Sequence, residues 1–128
     1  MYKKRSGPGD SHILKYDGEF DGKTCVMVDD IADSLGTLKA ASEVLFASGA
    51  SRIYALVTHG VLSGNALENL SKSPIERLFI TNSLPLSEQV LQHPKIEVLD
   101  IAPMFAEVIM RLHCNESVSA MFQTNGGK

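Results

Sequence analysis

The chain has 128 residues, 44% of them hydrophobic and 21% charged, a balance that fits one globular domain and argues against wholesale disorder. Twelve lysines and arginines against fifteen acids give a net charge of −3, which removes the general case for a nucleic-acid binder. No apolar run approaches the roughly 18 residues of a membrane helix, and Ile53–Val57 is among the longest. The basic start Lys3-Lys4-Arg5 runs into Ser6-Gly7-Pro8-Gly9 with no apolar segment behind it, so it does not read as a secretory signal. Cys25 and Cys114 lie far apart with no CxxC spacing, and read as reduced thiols of a cytoplasmic protein rather than a metal site or disulfide framework.

Residues 1–22 hold four of the ten glycines and few apolar side chains; they read as a mobile N-terminal arm, with Ser6–Asp10 as flexible loop. From Lys23 the chain alternates two kinds of segment. Cys25–Val28 is a continuous apolar run, as expected of a strand buried on both faces. Leu35, Leu38, Ala41, Ser42 and Leu45 mark one helix face, with Gly49 as its stop. Arg52–Thr58 predicts a second buried strand, and Ser63 is placed to cap a short helix carrying Ala66, Leu67 and Leu70. Arg77–Thr81 and Ile96–Asp100 predict two more strands. Pro103 suits the first turn of a helix whose apolar stripe is Phe105, Val108, Ile109 and Leu112. Ser117–Phe122 alternates polar and apolar, which suggests a half-exposed strand, and 123–128 reads as a frayed tail. The α/β domain therefore runs over 23–122. Strand–helix alternation of this kind predicts an α/β fold with a mainly parallel twisted sheet and helices on both faces. Ligands of such sheets sit beyond the carboxyl ends of the strands, which directs attention to 29–37, 58–64 and 81–87.

The first of these loops is the informative one. Asp29 and Asp30 stand at a strand's carboxyl end; Asp33, Ser34, Leu35, Gly36 and Thr37 lead into a helix. A helix start presents backbone N–H groups and a positive dipole end, and so favours phosphate. Carboxylates only accept hydrogen bonds, so they suit sugar hydroxyls or a magnesium shell. Together these features fit a sugar phosphate. An acidic turn with a capped helix accounts for the same residues without any ligand.

An apolar strand, two acids and then Asp33-Ser34-Leu35-Gly36-Thr37 resemble the phosphoribosyl-diphosphate loop of type I phosphoribosyltransferases. Thr58-His59-Gly60 with Ser63-Gly64, Thr81-Asn82-Ser83, and Glu116-Ser117-Val118-Ser119 with Phe122 extend the likeness. The chain is similar, from about Lys3 to Phe122, to the ribose-phosphate pyrophosphokinase family, also called phosphoribosyl diphosphate synthetases. The resemblance implies a phosphoribosyltransferase-like fold, truncated at its N-terminal side and matching the later part of the family's C-terminal half. It implies transfer of the diphosphoryl group of ATP, with Mg2+, to the 1-hydroxyl of ribose 5-phosphate. Asp29 and Asp30 would then hold the ribose hydroxyls, and Asp33, Ser34, Leu35, Gly36 and Thr37 would wrap the 5-phosphate. Lys3 and Arg5 would match the Lys-x-Arg of a mobile catalytic loop. Ser117 and Ser119 would touch a regulatory phosphate near a neighbouring subunit. A homo-oligomer, or association with a full-length synthetase, is implied as well.

The chain departs from the family in places. Ser34 replaces the commoner Thr, Leu35 is bulky, Cys114-Asn115 stands for Asn-Gly, and Ala120 stands for Tyr. The family's first half, with most of its ATP site and magnesium ligands, has no counterpart here, so the metal ligands are not identified. His59 reads as a strand-end hydrogen bonder or as a loop residue near substrate; His12, His93 and His113 lack metal-ligand spacing. Two other functions remain open on the residues: a non-catalytic synthetase-associated regulatory subunit, and a phosphoribosyltransferase acting on a base.

Overall fold

The computed structural model describes residues 18–122 in full and, as backbone strands, 2–7 and 10–15. An antiparallel hairpin comes first, β1 (Tyr2–Gly7) with β2 (Asp10–Lys15), pairing Lys3 with Ile13 and Arg5 with Ser11. This corrects the expectation of loop at 6–10, since Ser6, Gly7 and Asp10 fall in paired strands. Residues 8, 9 and the expected tail at 123–128 lie outside the described residues.

The rest is a parallel α/β unit. β3 (Thr24–Ala32) leads to α1 (Gly36–Ala47), β4 (Arg52–Gly60), α2 (Ala66–Lys72) and β5 (Arg77–Thr81). The four-residue α3 (Glu88–Leu91), β6 (Ile96–Leu99) and α4 (Ala102–His113) follow. The sheet runs β3-β4-β5-β6 with every neighbouring pair parallel, so the expected fold class holds. α1 ends as expected: Gly49 takes φ 89°, and Ala50 N–H reaches back to the Leu45 carbonyl at 3.1 Å. Asn115 does the same work after α4 at φ 56°, with Glu116 N–H on the Arg111 carbonyl at 2.8 Å.

Strand burial differs from the expectation. Ile53, Ala55 and Val57 of β4 and Leu78 and Ile80 of β5 are buried, and they share one core with Leu38, Leu45, Leu70 and Val90 from α1, α2 and α3. Their neighbours on the other face are open: Val26 is 56% and Val28 77% exposed, and Tyr54, Leu56 and Phe79 are half-buried. The reason is the winding. Strands laid down in one direction by right-handed crossovers carry all their helices on one face, so the expected helices on both faces are not formed among the described residues. α4 buries no residue at all. The strand expected at 117–122 is also absent: Ser119–Phe122 is a 3-10 turn, because an alternating segment makes a strand only where an edge is there to pair with.

Two ties hold the helical layer down. The Lys95 ammonium donates to the carbonyls of Leu70, Ser71 and Ser73 at 3.1, 3.3 and 2.9 Å, closing the carboxyl end of α2 with a cation where its dipole favours one. Beside it, Lys95 N–H donates to His93 Nδ1 at 3.2 Å, and His93 Nε2 meets Ser71 Oγ at 3.0 Å. A backbone N–H can only donate, so Nδ1 carries no proton.

Protonation of Nδ1 would break that bond. Burial first, then the Lys95 ammonium, holds the imidazole below its ordinary range. The folded chain therefore binds fewer protons than the unfolded chain in the window just beneath the ordinary histidine value of about 6.5. Stability is full above that value and falls as pH drops through the window. His93→Gln should remove this part of the acid sensitivity; urea midpoints at about pH 7.5 and about pH 5.5 check it, and equal losses in both proteins would contradict it.

A second expectation concerns Leu35, which sits before α1 at φ 61° and ψ 7° with its side chain 4% exposed. Leu35→Gly relieves roughly 1–2 kcal/mol of left-handed backbone strain but deletes a buried side chain worth about 2–5 kcal/mol. Denaturant unfolding should show a net loss; a gain in stability would mean that the buried side chain does not hold the turn.

Candidate functional site

β3 delivers Asp29 and Asp30 to the carboxyl end of the sheet, where Ile31 pairs with His59 and Ala32 with Gly60. Asp29 Oδ1 accepts the Asp30 N–H at 3.0 Å, and Asp30 Oδ1 accepts the Ile31 N–H at 2.9 Å. Each carboxylate is thereby oriented through one oxygen, and the other oxygen stays available to a ligand. Asp29 is half-buried and Asp30 exposed.

The turn that follows is tied from the loop between β4 and α2 and from α2 itself. Ser63 Oγ donates to Asp33 Oδ1, and Asn69 Nδ2 donates to the Ser34 carbonyl at 2.9 Å. Val61 N–H and Leu62 N–H close on the Ala32 carbonyl at 2.9 and 3.1 Å. Ser63 therefore does not cap α2, as its position in the sequence suggested: the residue before α2 is Asn65, without a side-chain cap. Asn69 gave no sequence signal, because its partner lies 35 residues away along the chain.

α1 begins at Gly36 with no side-chain cap, and its first intrahelical bond is Lys39 N–H to the Leu35 carbonyl, 2.9 Å. Gly36 answers no demand of the fold. Its φ is not left-handed, and a Cβ there would meet only Ser34 Oγ, at 3.6 Å. Asp29 through Leu38 together line one concavity of about 330 Å³, at the lower end of the size range of small-molecule sites. Acceptors stand at one end and the start of a helix at the other, so the site is built for a ligand with hydroxyls and an anionic group.

The other two loops also lie at strand carboxyl ends, as expected. His59 Nδ1 meets Ser83 Oγ at 2.8 Å, and Thr81 Oγ1 and Ser83 Oγ donate to the Thr58 carbonyl at 2.7 and 3.0 Å. His59 thus ties two strand ends together, the structural one of its two readings. Asn82 spans to Asp100 and Ile101 at 2.7 and 3.0 Å. The hydrogen bonds from Ala102 N–H and then from Asn82 hold the Asp100 carboxyl below its usual range.

The sequence-predicted residues Asp29, Asp30, Asp33, Ser34, Leu35, Gly36 and Thr37 are brought together in this one site. Lys3 and Arg5 lie on β1, with side chains outside the described residues. Ser117 and Ser119 follow α4; the Ser117 carbonyl accepts from Arg111 Nη1 at 3.3 Å. Cys25 and Cys114 are both free. Among the described residues no three His, Cys, Asp or Glu side chains gather to hold a metal ion, and no helix is long and apolar enough to cross a membrane.

Comparison with known proteins gives the site a context. The family described as "Phosphoribosyl synthetase-associated domain" matches residues 8–123. The chain is 46% identical over 120 residues to the ribose-phosphate pyrophosphokinase of Helicobacter hepaticus, which covers 94% of this chain and 38% of that protein. It is 41% identical over 123 residues to ribose-phosphate pyrophosphokinase 3 of Saccharomyces cerevisiae, covering 96% of this chain and 38% of that protein. The crystal structure of phosphoribosylpyrophosphate synthetase from Mycobacterium smegmatis superposes with a TM-score of 0.72 at 36% identity, over 77% of this chain and 33% of that one. The chain spans less than two fifths of the curated relatives it matches. With its matched region running through the Asp29–Thr37 loop and on to the end of the described residues, the chain belongs to the ribose-phosphate pyrophosphokinase family.

Proposed function

We propose that residues 29–37 bind ribose 5-phosphate and that the chain is a ribose 5-phosphate-binding part, from the later portion of the C-terminal half, of a ribose-phosphate diphosphokinase. The reaction moves the diphosphoryl group of ATP to the 1-hydroxyl of the sugar, releases AMP and makes phosphoribosyl diphosphate for nucleotide biosynthesis. The observation that carries this reading is the build of the concavity. Asp29 and Asp30 offer free carboxylate oxygens at one end, and the uncapped start of α1 lies at the other. Ribose hydroxyls donate to the first, and the 5-phosphate accepts from the second. The intact Asp33–Thr37 turn speaks for a catalytic line of descent over a non-catalytic associated subunit. The names of the relatives speak for a diphosphokinase over a phosphoribosyltransferase acting on a base.

In this reading Lys3 and Arg5 stabilise charge on the transferring phosphoryl oxygens, since phosphoryl transfer is catalysed chiefly by positioning and electrostatics. Magnesium travels with ATP: two carboxylates are hard oxygen donors, yet they fall short of a protein cage, and this ion commonly keeps phosphates and water in its shell. Its chemistry there is to neutralise phosphate charge. The adenine site belongs to the part of the relatives that this chain does not span. Ser117 and Ser119 serve as a regulatory phosphate contact, and the assembly is a homo-oligomer working in the cytoplasm.

Isothermal calorimetry tests the sugar-phosphate site. Each charge-assisted hydrogen bond is worth about 1.5–3 kcal/mol, so Asp29→Asn with Asp30→Asn should weaken ribose 5-phosphate binding by at least tenfold. Gly36→Ala should separate folding from binding. Stability should hold or rise by about 0.4–1 kcal/mol, as for a compatible glycine replacement, while affinity falls because the new methyl stands where the phosphate approaches. Unchanged affinity in both variants would sink the assignment.

A further inference from the structure

Asn69 stands outside the concavity yet holds one of its walls. The lining runs over residues 29–38, and none of the lining residues belongs to α2. α2 is fixed from beneath, since Ala66 and Leu70, four apart on one helix face, are fully buried. From this firm base Asn69 Nδ2 donates to the Ser34 carbonyl at 2.9 Å. A carbonyl only accepts, so the nitrogen is the end of the amide that faces it.

The hydrogen bond acts on a peptide group. In a trans peptide the C=O and N–H point in opposite directions, so drawing the Ser34 carbonyl toward α2 turns the Leu35 N–H away from α2. Leu35 is left-handed at φ 61° and ψ 7°, and Gly36 follows as the first residue of the right-handed α1. Neighbouring residues of opposite hand turn successive N–H groups to one side, which makes a nest for an anion. The Gly36 N–H, at a helix start, has no partner within the helix, and both residues line the concavity.

Strain at Leu35 works against this arrangement. Half a turn of the Ser34–Leu35 peptide, about the line joining its two Cα atoms, would carry the Leu35 φ to negative values and relieve the strain. Neither Cα moves in such a flip, so the Leu35 side chain keeps its place in the core and its burial offers no resistance. The Ser34 carbonyl does resist, because it would leave Asn69. One hydrogen bond and one left-handed residue are of the same order in energy, so the bond decides which way the peptide faces. Ser63 cannot take over, since its hydrogen bond goes to the Asp33 side chain.

We propose that Asn69 is a positioning residue for the phosphate: from α2 it keeps the Leu35 N–H turned into the nest, so that the cradle is formed before the ligand arrives. This role presupposes that 29–37 bind ribose 5-phosphate, and it adds a residue that the ligand never touches.

Two variants of the whole chain test the role. Asn69→Leu keeps the bulk, Asn69→Ala suits the helix, and both remove the donor. In the ligand-free protein, a left-handed φ gives a strong nuclear Overhauser contact between the Leu35 amide proton and its own Hα; this contact should weaken in both variants. Calorimetry with ribose 5-phosphate should show an affinity loss of about tenfold in both. Amide shifts produced by ribose at Asp29 and Asp30 should match those of the parent chain. The melting temperature should hold within a few degrees, because relief at Leu35 offsets the lost bond. A tie that served stability alone would lower the melting temperature and leave the phosphate no more affected than the sugar. Leu35 still left-handed in both variants, undiminished affinity for ribose 5-phosphate, or equal losses for ribose and ribose 5-phosphate would overturn the role of Asn69 alone. A parent chain that binds no ribose 5-phosphate would overturn the ligand reading, and the role with it.

Discussion

The turn from β3 into α1 depends on Leu35. Its backbone is left-handed, which costs a non-glycine residue about 1–2 kcal/mol, and its side chain is anchored in the core. That anchor returns roughly 1.5–3 kcal/mol of apolar burial. The hydrogen bonds from Ser63 to Asp33 and from Asn69 to the Ser34 carbonyl add about 0.5–1.5 kcal/mol each. The strained conformation is thus over-determined by its surroundings, the condition under which such strain persists at ligand sites. Because Leu35 points inward, its neighbours Asp33, Ser34 and Gly36 stay exposed at the mouth of the concavity.

The sheet governs the larger arrangement. Its single winding sense gathers three helices into one core and leaves the other face bare, so one topological fact explains both a firm core around Ile53, Leu78 and Ile80 and the exposure of Val26 and Val28. α4, which follows the last strand of the sheet, carries an apolar stripe of which no residue is buried among the described residues.

Much of this was legible in the residues, for reasons that differ by element. β5 is found at Arg77–Thr81 as its β-rich run predicts, since a short buried strand needs only local pattern to be seen. The loop at 29–37 was visible because its chemistry is contiguous. What was hidden depends on partners distant in sequence: Ser63 turns to Asp33 rather than to α2, and Asn69 reaches across to Ser34. Apolar runs such as Cys25–Val28 report that a strand wants burial on both faces, and cannot report whether the covering layer lies within these 128 residues. The alternation at 117–122 misled in the same way, because period two marks a strand only where a neighbour offers an edge.

The central claim is that a sugar phosphate sits between the Asp29–Asp30 pair and the start of α1. Titrating the isotopically labelled chain with ribose 5-phosphate, and following its backbone amides by nuclear magnetic resonance, tests this directly. The account predicts saturable shifts concentrated at 29–38, largest at Gly36 and Thr37 where the phosphate docks, with ribose alone giving far weaker effects. Saturable shifts centred elsewhere, or none at 29–38 while the fold is intact, would contradict it.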